Sequence, residues 1–196
     1  IGLIGPIPTP AIAKPTTAGP IPGIAASRKK RNGPPSVNPV TSVATRGARF
    51  GCTPAQHFSA RGLRDRGRSL WCGWAIHSER HRVFFAGDTG YHPSFGEIAT
   101  RYGPFDLSLL PIGAYDPRWF MQPVHMNPED CMKAMSQLVS RQNGRRLIMA
   151  AAHWGTFKLT DEPMDEPPTR MRELWQSAEL DARDLWIMRH GETRSI

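Results

Sequence analysis

Phe84-Phe85-Ala86-Gly87-Asp88-Thr89-Gly90 is an apolar run that stops at a carboxylate held between glycines. Leu147-Ile148-Met149-Ala150-Ala151-Ala152-His153-Trp154-Gly155 repeats that form with an imidazole at its end. Thr53-Pro54-Ala55-Gln56-His57 follows a shorter strand and ends in the same way. Apolar runs of this length read as buried strands. Side chains just past the carboxyl ends of strands in an open α/β sheet converge on one crevice. One carboxylate and two imidazoles meeting there suit Zn²⁺, which takes His nitrogen and Asp oxygen. Spacing alone leaves the alternative open. A single His or Asp at a strand end is commonly structural, capping a loop or bonding a backbone amide.

The flanking sequence fills in an α/β frame. Ser69–His77 and Arg82–Ala86 are rich in aromatic and β-branched residues, and four polar residues, Ser78 to His81, separate them as a hairpin turn would. Asp106–Pro111 is a further buried strand. Asn127 suits an N-cap, Pro128 the first helical position, and Glu129 and Asp130 the positive end of the helix dipole. Met132, Met135, Leu138 and Val139 give that helix an apolar face, and Gly144 offers a stop. Helices are also expected at Ser94–Tyr102 and Thr169–Ala178, and a last strand at Asp184–Met188. The order β-β-α-β-α-β-α-β predicts an α/β layered domain.

Composition divides the 196 residues. The net charge of +8 suggests nucleic acid at first sight, but its distribution argues otherwise. Residues 1–50 hold seven basic and no acidic side chains, which leaves +1 for the remainder. Of the aromatic residues only Phe50 lies in that stretch, and nine of the 19 prolines precede residue 40. Such a segment buries too little apolar surface to offset its ordering entropy. We therefore expect residues 1–48 to be a disordered, basic, Pro/Gly-rich tail and residues 49–196 to be the domain. The cluster Arg28-Lys29-Lys30-Arg31 reads as solvated linker charge, with an anionic surface as the alternative. Three cysteines make no disulfide framework and fit a reducing, cytoplasmic compartment. The chain begins with Ile1 rather than Met, as a fragment would.

Six blocks, in order, resemble one family. They are Thr53-Pro54-Ala55-Gln56-His57-Phe58-Ser59 with Arg61-Gly62, Leu70-Trp71-Cys72-Gly73-Trp74, Ala86-Gly87-Asp88-Thr89-Gly90-Tyr91, Gly103-Pro104-Phe105-Asp106, Pro111-Ile112-Gly113-Ala114-Tyr115-Asp116-Pro117-Arg118-Trp119-Phe120-Met121 and His153-Trp154-Gly155-Thr156-Phe157. They are similar to the N-acylphosphatidylethanolamine-hydrolysing phospholipase D branch of the metallo-β-lactamase superfamily. The resemblance implies the carboxyl-terminal half of an αββα sandwich that carries two zinc ions. It implies that His57 and His153 each hold one zinc and that Asp88 bridges both. His125 matches an active-site His outside the metal ligands, where it serves a phosphoryl oxygen or the leaving group; packing before the helix cap is its plain alternative. Tyr115, Trp119 and Phe120 are candidates for a lipid-acyl groove, with core packing as the competing role.

The implied reaction is zinc-dependent phosphodiester hydrolysis in an N-acylated phosphatidylethanolamine or a related phosphodiester. The implied partners are that lipid, with peripheral membrane contact, and a second copy or an amino-terminal half. One departure bears on all of this. The family's remaining metal ligands come from an HxHxDH motif, and none of the seven histidines here forms one. The alternative is thus a catalytically incomplete member of the family. A half-sandwich also predicts exposed apolar surface on one sheet face and a tendency to self-associate. His77-Ser78-Glu79-Arg80-His81 is not a metalloprotease box, because it is HxExH and sits in a hairpin turn. Arg189-His190-Gly191-Glu192-Thr193 resembles a phosphohistidine motif, but only three residues follow it.

Overall fold

Strand alternation and three amphipathic helices build the domain. A computed structural model describes residues 42–45, 47–60, 62, 64, 67 and 71–196. Seven strands form one sheet in sequential order: β1 (Ser42–Thr45), β2 (Ala48–Thr53), β3 (Gly73–His77), β4 (Arg82–Phe85), β5 (Leu107–Pro111), β6 (Ile148–Ala152) and β7 (Leu185–Trp186). β1 to β4 pair antiparallel, and β4 to β7 pair parallel. Two reversals between β2 and β4 leave β2 running with β4, β5 and β6. Their carboxyl ends therefore share one edge of the sheet.

The parallel strands need crossover connections, and helices supply them. α1 (Phe95–Tyr102), the short α2 (Arg118–Met121), α3 (Pro128–Val139) and α4 (Glu166–Ser177) lie between β4 and β7. α1 buries Phe95, Ile98 and Ala99, and α3 buries Cys131, Ala134, Met135 and Leu138. Both sets follow the one-face spacing of an α-helix. α4 adds Met171 and Trp175 one turn apart. These side chains share one core with Ala75, Phe84, Leu110 and Met149 from the sheet. The helices cover one sheet face.

The expected elements are present with shifted ends. Asn127 caps α3, its side-chain oxygen accepting from Asp130 N–H at 3.0 Å. The helix stops at Val139 rather than near Gly144, because Ser140 to Gly144 turn away. Its buried face is also rotated by one residue: Cys131 and Ala134 are inside and Val139 is exposed. α4 begins at Glu166, three residues before the expected start, with two prolines where the first-turn amides need no partner. The last strand shrinks to Leu185–Trp186 after a 3-10 turn at Ala182–Asp184. Ser78 to His81 close the β3–β4 hairpin through Ser78 N–H to His81 O at 2.8 Å, so His77 and His81 flank a turn. Of Ser69–His77, Ser69 and Leu70 lie outside the described residues, and β3 begins only at Gly73. The sheet reaches back to Ser42, inside the segment read as tail; residues 1–41 and the Arg28–Arg31 cluster lie outside the described residues.

The other sheet face is apolar in its rows. Cys52, Trp74, Phe85, Leu109, Ala150 and Trp186 stand opposite one another from β2 to β7. Phe50, Ile76, Val83, Leu107 and Ile148 make the next row. Side chains alternate faces along a strand, so these rows oppose the helix-covered one. Trp74 and Phe85 each keep 39% of their surface exposed, while their neighbours Ala75 and Phe84 keep 1%.

Two outcomes follow from this packing. The purified chain is expected to self-associate through the row that holds Trp74 and Phe85. Sedimentation velocity should show concentration-dependent species that Trp74→Ser with Phe85→Ser reduces; an unchanged monomer at every concentration contradicts this. The second concerns His92, which is buried beside Phe95, ring centroids 4.4 Å apart, with neither nitrogen hydrogen-bonded. Burial pushes its pKa down from 6.5 to about 4. A folded-state pKa below the unfolded one means that the unfolded chain takes up the proton first as pH falls. Stability from this group is full above the unfolded value and is lost down to the folded one. Going from about pH 7 to about pH 5 should cost about 2 kcal/mol through His92. Thermal melts should show His92→Leu with a flatter pH dependence than the parent; parallel curves refute the assignment.

Candidate metal centre

Thr89 is the knot of the site. Its hydroxyl accepts Gln56 N–H at 2.8 Å and donates to Gly90 O at 2.8 Å. Its carbonyl accepts Met126 N–H at 3.1 Å. Gln56 completes the knot: its carbonyl accepts Gly90 N–H at 2.8 Å, and its side-chain amide donates to Pro123 O at 2.7 Å. The segments that carry His57, Asp88 and His125 are thereby bonded to one another. Gly90 permits the close approach, since a Cβ there would lie 2.6 Å from Pro123 O.

His153 arrives from the end of β6, one residue past Ala152. Its backbone φ is +57°, a left-handed conformation that costs a non-glycine residue energy and is concentrated at functional sites. The loop after β5 packs against it through Gly113, where a Cβ would lie 2.5 Å from His153 O.

Four candidate side chains therefore gather at the carboxyl edge of the sheet. His57 Nε2 faces His125 Nε2 at 3.4 Å. His125 and His153 stack with centroids 4.9 Å apart. His153 Nε2 lies 3.6 Å from Asp88 Oδ2. His57 Nδ1 lies 2.7 Å from Phe58 O, which only accepts, so Nδ1 carries the proton and Nε2 of the neutral ring offers a lone pair.

The electrostatics are mutual. The His153 imidazole lowers the Asp88 pKa against the effect of burial, and His57 and His125 add to the lowering. Asp88 raises His153 in return. Burial, then the neighbouring His153 and His57, push His125 down to about 4, so it is neutral at neutral pH. Its Nδ1 is buried without a hydrogen-bond partner.

These donors fit a metal in pairs only. Ligands of a tetrahedral zinc with bonds of about 2.0–2.1 Å stand roughly 3.3 Å apart. The His57–His125 and Asp88–His153 separations are close to that length. Yet among the described residues no three His, Cys, Asp or Glu side chains gather to hold one ion. A catalytic zinc takes three protein ligands. The described residues do not form a complete catalytic metal site.

The aromatic candidates separate. Trp119 and Phe120 are exposed on α2, with ring centroids 5.7 Å apart. Tyr115 is buried, and its hydroxyl donates to Glu166 at 2.6 Å, so it supports the loop instead of lining a groove. The remaining histidines lie apart from this group. His77 packs against Tyr102, and His190 Nε2 pairs with Thr156 Oγ1 at 3.1 Å.

Sequence reasoning missed three supports. Gln56 is the link described above. Arg118 donates to His125 O at 3.1 Å and to Asp130 at 2.5 Å, which fixes the His125 loop to α3. Glu162, buried, accepts N–H bonds from Ala114, Tyr115 and Asp116 at 2.6, 3.2 and 3.1 Å. It joins the loop after β5 to the loop after β6. The two loops enclose a pocket of about 170 Å³ bordered by Gly113, Ala114, His153, Phe157, Leu159 and Met164.

Known proteins share this architecture. The beta-lactamase superfamily domain profile matches residues 22–154. The N-acyl-phosphatidylethanolamine-hydrolyzing phospholipase D 1 of Caenorhabditis elegans is 42% identical over 135 residues, covering 68% of this chain and 35% of that protein. The mitochondrial N-acyl-phosphatidylethanolamine-hydrolyzing phospholipase D of Saccharomyces cerevisiae is 40% identical over 125 residues, covering 62% of this chain and 25% of that protein. The chain thus spans about a third or less of the length of these curated relatives. Among solved structures, the metallo hydrolase Igni18 of Ignicoccus hospitalis superposes with a TM-score of 0.56 at 24% identity, covering 79% of this chain and 57% of its own. Sequence and fold agree: this chain belongs to the beta-lactamase superfamily.

Proposed function

We propose that this chain carries part of the active centre of a zinc-dependent phosphodiesterase of the phospholipase D type. Its substrate is an N-acylated phosphatidylethanolamine or a related phosphodiester. The reading rests on the convergence of His57, Asp88, His125 and His153 at one sheet edge. Metal-dependent hydrolysis is supported by the superfamily, and the substrate class by the names of the nematode and yeast relatives. His57, Asp88 and His153 are assigned as metal ligands. His125, neutral and buried beside His57 and His153, is assigned to hydrogen-bond the phosphoryl group or the leaving oxygen. Trp119 and Phe120 are assigned to the acyl chains.

A second reading has its own support. Donors stand in pairs, and no HxHxDH motif exists in the 196 residues. By itself the chain is then a catalytically incomplete member of the family, and the centre needs ligands from outside it.

Competition with a chromogenic chelator tests both readings. The parent chain should bind zinc weakly, below one equivalent at micromolar concentrations, and Asp88→Ala or His153→Ala should lower binding at least about tenfold. N-acylphosphatidylethanolamine should not be hydrolysed by the chain alone with added zinc. Zinc binding indifferent to Asp88 and His153 contradicts the ligand assignment. Turnover by the chain alone contradicts the incomplete centre.

A further inference from the structure

We propose that Cys52 and Cys72 form a reversible intrachain disulfide that changes the setting of Asp88. All three cysteines are free, and they differ in access: Cys131 is buried, while Cys52 and Cys72 are each half-buried. Neither half-buried thiol serves the metal centre described above.

Sheet register places the pair. Cys52 stands opposite Trp74 across the β2–β3 ladder, and Thr53 stands opposite Gly73. Cys72 lies two residues before Trp74, so it returns to the face that Cys52 and Trp74 share. It is the diagonal neighbour of Cys52, and the two thiols are hydrogen-bonded. Cys52 belongs to β2, which is paired on both sides. Cys72 lies just outside β3 and is the freer of the two.

The chemistry is thiol–disulfide exchange with a small-molecule disulfide. Burial and the S–H that Cys72 donates to Cys52 push the Cys72 thiol up to about 12, so Cys72 keeps its proton at neutral pH. Attack therefore starts from Cys52. Its thiolate bonds to one sulfur of the small disulfide and expels the other as a thiolate. Cys72 then loses its proton to water, and its sulfur displaces the second small thiolate from Cys52. Two S–H bonds are lost, one S–S bond joins β2 to the start of β3, and the small disulfide is reduced to two thiols. Excess small thiol runs the sequence backward. A bond that forms and breaks in this way suits a compartment that keeps most thiols reduced.

Cys72 also touches the candidate site. Trp74 stands opposite Phe85, and the same register carried two residues outward brings Cys72 opposite Gly87. A Cβ on Gly87 would lie 3.1 Å from Cys72 O, so the two backbones are in contact there. Gly87 has a φ of +68° and directly precedes Asp88. Drawing the sulfurs from hydrogen-bond separation into a covalent bond moves the freer Cys72 toward β2 and away from Gly87. The turn that carries Asp88 then loses its support on that side. The cross-link itself requires neither zinc nor the lipid-hydrolase reading above; only its effect on metal binding rests on Asp88 being a ligand.

The test uses the full chain in chelator with oxidised glutathione, quenched with N-ethylmaleimide and mapped by peptide mass. A glutathione adduct on Cys52 should appear first and give way to a Cys52–Cys72 bond, with Cys131 alkylated only after unfolding. Cys72→Ser should stop at the adduct, and Cys52→Ser should leave Cys72 unmodified. In amide proton–nitrogen spectra, oxidation should shift Gly87 and Asp88 and leave α4 in place, and dithiothreitol should restore the parent spectrum. Disulfides between copies, adducts that never close, or a first adduct on Cys72 overturn the cross-link. A Cys52–Cys72 bond that leaves the Gly87 and Asp88 signals unmoved overturns its link to the site. Thiols that react only after unfolding refute both. None of these results bears on the zinc assignment, which the chelator competition decides separately.

Discussion

The buried Thr89 hydroxyl, taking an N–H from Gln56 and giving its proton to Gly90, is the contact on which the site depends. Strands β2 and β4 are not neighbours, since β3 lies between them. Without a bond across that gap, the loops after β2 and β4 would diverge. Thr89 closes it and, through its carbonyl, draws in the His125 segment that begins α3. A buried, fully satisfied polar knot of this kind fixes geometry more narrowly than apolar packing does, because each lost partner leaves a costly orphan. The candidate side chains on these loops then inherit the precision of a rigid frame.

The donors and the sheet face share one physical explanation. A two-layer domain buries each sheet on both sides, with helices outside and a partner layer inside. The described residues provide one sheet with helices on one side. Trp74 and Phe85 on its inward face stay exposed, and the candidate metal donors at the edge of that sheet occur in pairs. Both are what one layer looks like without its counterpart. The exposed Trp119 and Phe120 on α2, and Phe157 and Leu159 on the loop after β6, are of another kind, because they do not stand on the sheet.

Much of this was legible in the residues. Apolar runs around Phe84 and Leu147 and the Asn127 cap located β4, β6 and α3, because strand burial and N-capping are local properties. The metal-capable ends of those strands were legible for the same reason. Helix ends were not: α3 stops at Val139 because Ser140 to Gly144 turn onto the sheet edge, where Gln142 bonds Phe105. The β1 strand was hidden in a segment of low aromatic content, since its partner is supplied by β2 and not by its own pattern. Nothing in its own segment marks Glu162. Only the fold brings it to three amides nearly fifty residues away. Tyr115 sat within an aromatic group and became a buried strut, a difference of side-chain direction that spacing cannot encode.

The central claim is that His57, Asp88, His125 and His153 converge at one edge of the sheet, where we propose that His57, Asp88 and His153 hold zinc beside His125. Long-range proton–nitrogen spectra of the imidazoles during a zinc titration test it directly. The account predicts that the nitrogens of His57, His125 and His153 shift together, and that those of His77, His81, His92 and His190 stay in place. Zinc that moves His77, His81 or His190 while the three site imidazoles remain unchanged would contradict it.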